Sequence, residues 1–161
     1  MRRFVVRLVL LSFMCSAAVA SAGQGKICKV LPQFLDQKGR QSLSPSLYER
    51  DAYQFYLRKH PLQRAGLRLT VQWKAKDVDW TKTKLRTEIR GLLNETLQTV
   101  TLEEPAIKHG HFSTWSDFQI AGEKFQKFGE LVAWRVTLWE GDRQLGRQES
   151  FLWSGVGPST Q

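Results

Sequence analysis

His109-Gly110-His111 is a spacing in the chain that suits chemistry. Side chains two apart on a strand point the same way, so both imidazoles would meet one ion, and zinc and copper accept imidazole nitrogen. Glu103, Glu104 or Asp117 would supply a third ligand. Pro105 and Gly110, however, make the stretch read as a loop, where paired histidines are ordinarily solvated. A zinc- or copper-binding protein using His109 and His111 is therefore the alternative reading rather than the leading one. Two acid pairs, Asp77-Val78-Asp79 and Glu103-Glu104, also stand out. General acid–base work needs two carboxyls whose surroundings push their pKa values apart, and acids adjacent in loops share one solvent. The chain carries no G-x-S-x-G elbow, no H-E-x-x-H and no glycine-rich phosphate loop. The expectation is a non-enzymatic protein with no catalytic residues and no cofactor.

The six tryptophans carry the remaining signal. Trp73, Trp134 and Trp153 alternate onto apolar strand faces and read as core, with Phe151 beside Trp153. Trp115 and Trp139 fall on polar faces, and Trp80 lies in the polar run DVDWTKTK. Exposed tryptophans concentrate binding energy at contact surfaces. Trp80, Trp115 and Trp139, with Arg135 beside Trp139, are therefore the candidate binding residues, unless a helix covers them. Arg68, Lys74, Lys84, Arg86, Arg90 and Arg135 also alternate outward. They form one basic stripe only if their strands are neighbours, and division between two sheets is the expectation.

The elements that must position these residues change period along the chain. Residues 46–59 read as an amphipathic helix: Ser46 and Glu49 have capping-box spacing, Tyr48, Ala52, Phe55 and Tyr56 share a face, and Pro61 stops it. From Gly66 onward the period is two, in LRLTVQWKA, KLRTEIRGLL, TLQTVTLE, FSTWSDFQIA and the two runs around Gly141-Asp142. A first strand at residues 27–31 makes about seven. Strands with one apolar and one polar face belong to antiparallel sheets packed on one side. The fold expected is mainly β, an immunoglobulin-like antiparallel sandwich with one accessory amphipathic helix near the N-terminus. AGEKFQKFG reads as a helical turn between its sheets. The Gly141-Asp142 turn sets Trp139 opposite Gln144, Val136 opposite Arg147 and Trp134 opposite Glu149. A bulge in the last strand is the alternative that returns those charges to the outer face.

Residues 1–22 read as a signal peptide: Arg2, Arg3 and Arg7 precede an apolar run, then small-x-small sites at Ala18–Ala20 and Ala20–Ala22. The run is shorter than the roughly 20 residues a membrane span needs. Residues 23–154 form the sandwich domain and 155–161 a flexible tail. The processed protein is exported, periplasmic or extracellular, without a transmembrane span. Without the leader's three arginines, 21 basic residues face 15 acidic ones, a net charge of +6. That balance suits an envelope protein or an acidic cell-surface polymer as partner, with nucleic acid excluded by export. Cys28, left without a second cysteine, is expected buried among Ile27, Val30 and Leu31, the alternative being a pair with another chain.

Overall fold

The computed structural model describes residues 23–107 and 113–154. The leader 1–22, the tail 155–161 and both histidines of the candidate metal site lie outside the described residues. Seven strands follow in order: β1 (Gln24–Asp36), β2 (Arg64–Lys76), β3 (Thr83–Leu93), β4 (Thr96–Pro105), β5 (Thr114–Ala121), β6 (Glu130–Glu140) and β7 (Arg143–Glu149). Helix α1 (Leu47–Lys59) lies between β1 and β2, and α2 (Glu123–Phe128) between β5 and β6. The strands pair antiparallel in two sheets, β1-β2-β5 and β4-β3-β6-β7.

The period-two patterns build the core. Leu67, Leu69, Val71 and Trp73 of β2 and Phe118 and Ile120 of β5 face Leu85 and Ile89 of β3 and Val136 and Leu138 of β6, all buried. α2 carries the chain from one sheet to the other and buries Phe125 and Phe128. β1 is longer than the expected 27–31. As an edge strand it tolerates Pro32, whose missing N–H costs no ladder bond on the open side.

Bulges in the strand pairing, at Cys28 and Leu145 among others, change which side chains face inward. Pairing along β1 steps from Ile27–Trp73 to Lys29–Gln72, so Cys28 is the extra residue and is exposed, contrary to its expected burial. In the β6–β7 hairpin Trp139 pairs with Gln144 as the turn requires, but Leu138 then pairs with Gly146 and Arg135 with Glu149. The bulge at Leu145 takes Arg147 and Glu149 off the core face, where the unbulged register had put them. Gly146 lies against β1: a Cβ there would stand 3.0 Å from the Gly25 carbonyl oxygen. After β7 a 3-10 turn, Phe151–Trp153, folds back. Neither expected core side chain there enters the core between the sheets. Phe151 is exposed, and Trp153 is buried beneath the guanidinium groups of Arg90 and Arg135, 3.8 and 4.6 Å from its ring.

Candidate functional site

The basic residues and tryptophans singled out in the sequence do not gather. Arg68 and Lys74 stand on β2, whereas Lys84, Arg86, Arg90 and Arg135 stand on β3 and β6 of the other sheet. There the charges are largely answered. Lys84 and Arg86 pair with Glu103, Lys84 at 3.0 Å, and Arg135 pairs with Glu88 at 2.6 Å. Lys84 first and then Arg86 hold the Glu103 carboxyl below its ordinary pKa. Trp139 is half-buried on this outer face, its Nε1 donating to Thr137 Oγ1 at 2.8 Å and Arg86 over its ring. Trp115 is exposed, but on β5 in the opposite sheet. Trp80 is half-buried and packs against the core, with its ring 6.2 Å from that of Trp73. The polarity of its neighbours disguised it, because they are consumed by the turn. Asp79 accepts bonds from the Thr81 amide and hydroxyl and pairs with Lys82. Asp117 accepts from Thr70 Oγ1. Among the described residues no three His, Cys, Asp or Glu side chains converge as a metal site would require.

An uncovered aromatic surface belongs to α1. The sequence pattern assigns Tyr48, Ala52, Phe55 and Tyr56 to its inner side, and the structure reverses this. Gln54 and Leu57 are the residues buried beneath the helix, while Tyr48 is 84% exposed, Phe55 59% and Tyr56 42%. The reason lies in how the helix is tethered. Gln54 behaves like an added piece of strand beside β1: its Oε1 accepts from Phe34 N at 2.8 Å, and its Nε2 donates to Phe34 O at 2.9 Å and Gln41 O at 2.8 Å. Tyr53 donates to Asp36 Oδ2 at 2.8 Å. Buried, Asp36 would be pushed up in pKa, but it also accepts from the amides of Arg40 and Lys38 and from the Arg40 guanidinium. Together with Tyr53 these bonds outweigh burial and hold it at about 2.

The helix C-terminus is closed by Arg64, whose side chain is only 4% exposed. Its Nε donates to Leu57 O at 2.6 Å, beside the His60 amide at 3.3 Å, and a terminal nitrogen donates to Arg58 O, so the guanidinium answers carbonyls of the last turn. The third nitrogen pairs with Glu130, and the guanidinium covers the Phe34 ring at 4.1 Å. Leu57, fully buried, is the apolar plug. Ser46 precedes the helix but makes no side-chain cap, so the expected capping box is absent.

Polar tethers thus fix α1 by the side that sequence periodicity calls wet, and its aromatic side turns to solvent. Leu43 and Leu47 before and within the helix and Leu62 after it are exposed as well, at 61%, 65% and 92%. His60 stacks on Tyr56 at 4.1 Å, and the Lys59 ammonium lies 5.6 Å from the Phe55 ring. A cleft of about 310 Å³ opens on the other side of Asp36 and Arg64, towards Gly122 and Phe125. Its charged groups are already engaged by the tethers described above, so it presents no free chemistry. Comparison with protein-family profiles, with curated proteins and with solved structures finds no match to the chain.

Proposed function

We propose that the chain is an exported, non-enzymatic binding module of the cell envelope whose recognition surface is the uncovered aromatic side of α1. One observation carries the reading: a rigidly tethered helix presents Tyr48, Phe55 and Tyr56 to water while hiding Gln54. Contiguous apolar surface of this kind marks an interaction site, because a protein with no partner for it gains by burying it. The leader pattern of residues 1–22 supports export, and the basic balance of the chain supports an acidic envelope partner. We further read the sandwich as immunoglobulin-like. Strands β1, β2 and β5 opposite β3, β6 and β7 follow the division of such domains, with β4 joined to β3 instead of β5.

The test is cosedimentation of the processed protein with envelope membranes. Tyr48→Ser/Phe55→Ser/Tyr56→Ser is expected to keep the melting temperature within a few degrees and to lose sedimentation. Trp115→Ser and Trp139→Phe are expected to sediment as the wild type does. Unchanged sedimentation of the triple variant overturns the assignment.

A further inference from the structure

Resting on that reading, we infer that the occupant of the α1 surface is an anionic lipid surface, on which the helix lies in the headgroup plane. Three observations favour lipid. The first is charge. Across residues 37–63, Lys38, Arg58 and Lys59 have no carboxylate partner among the described residues, whereas Asp36 is held by Arg40 and Asp51 faces Arg50. Only Glu49 stands there as an exposed acid without an ion pair. A second copy meeting this patch about a two-fold axis would bring like charges together, and an anionic surface would not.

The second is shape. Leu62 and Tyr48 stand almost fully clear of the body, and the patch spans a loop, a helix and the 3-10 turn Pro61–Gln63. Protruding side chains on a raised segment suit a deformable layer, which needs no matching concavity. The third is residue type. Phenylalanine, leucine and tyrosine beside lysine and arginine form the interfacial pattern, with tyrosine placing a ring in the apolar boundary and its hydroxyl in the headgroups. Among the described residues no helix is long and apolar enough to cross a membrane, so attachment through α1 would be peripheral.

Residues 23–154 contain every described strand and the described core cluster, so the chain from Gly23 onward is the unit to test. It is mixed with phosphatidylcholine vesicles with and without phosphatidylglycerol, and with envelope material stripped of lipid. Binding is expected only where phosphatidylglycerol is present. Phe55→Ser/Leu62→Ser should weaken it about tenfold or more, and Arg58→Gln/Lys59→Gln roughly tenfold, each with unchanged near-ultraviolet circular dichroism. Equal binding to both vesicles, or binding indifferent to these substitutions, overturns the inference. Retention on lipid-free envelope material through the same residues, without vesicle binding, overturns the lipid and keeps the surface. A dimer abolished by the same substitutions likewise replaces lipid with a second copy. Indifference of vesicle, envelope and dimer binding alike to α1 overturns both readings.

Discussion

Asp36 and Leu57 hold the same helix by different physics, and each makes its own prediction. The Asp36 carboxyl sits at about 2 in the folded chain against 3.8 for the ordinary side chain. A depressed folded pKa stabilises above the unfolded value and ceases to do so as pH falls through the folded one. The stability difference between wild type and Asp36→Asn in urea titrations is therefore expected to be full at pH 5 and to shrink from about pH 4 to about pH 2. A difference constant over that window would mean that the charge of Asp36 contributes nothing. Leu57→Ala, which empties a fully buried site, is expected to cost about 3 kcal/mol in the same titration. Phe55→Ser, two residues away and exposed, should cost about 0.5 kcal/mol or less. Comparable losses would put Phe55 in the core. Neither tether was visible in the sequence. Nothing local to Gln54 or Arg64 reveals that Phe34 and the Leu57 carbonyl will come within hydrogen-bonding reach.

At the scale of elements, strand alternation was legible because a sheet face selects apolar residues at every second position, as Leu67 to Trp73 and Leu85 to Ile89 do. The bulges at Cys28 and Leu145 were not, since each depends on how a neighbouring strand is accommodated rather than on the residues that form it. The helix was located correctly and oriented wrongly. Periodicity finds the apolar stripe of α1, but the rule that the stripe faces the core assumes hydrophobic packing holds the helix, and here hydrogen bonds do. If Arg64 closes the helix, Arg64→Met should destabilise the fold by about 2–3 kcal/mol, because the Arg58 carbonyl loses its guanidinium partner, the Leu57 carbonyl keeps only the His60 amide and Glu130 loses its cation. A fully stable Arg64→Met would mean that α1 needs no such closure.

Over the whole molecule, α1 and the candidate tryptophans sit at opposite ends. Arg64 opens β2 beside α1, and Trp115 pairs with Gln72 about 25 Å further along that strand. The sequence gathered Trp115, Trp139 and Arg135 only by their polar neighbours, and three-dimensional placement divides them between two sheets. What remains is a sandwich with an uncovered aromatic patch on α1, flanked by cations that have no carboxylate partner among the described residues. Its attachment to envelope membranes should weaken several-fold as sodium chloride rises from 0.05 to 0.5 M, as the screening length falls with ionic strength. Attachment insensitive to salt would remove the electrostatic part of the account. Docking through α1 is read out by photochemically induced nuclear polarisation, which reports tyrosine and tryptophan rings open to solvent. The chain has three tyrosines, all on α1. In the free protein Tyr48, Tyr56 and Trp115 should be polarised, and on saturation with envelope membranes the Tyr48 and Tyr56 signals should disappear while that of Trp115 persists. Loss of the Trp115 signal with Tyr48 still polarised would contradict the account and return the binding surface to β5.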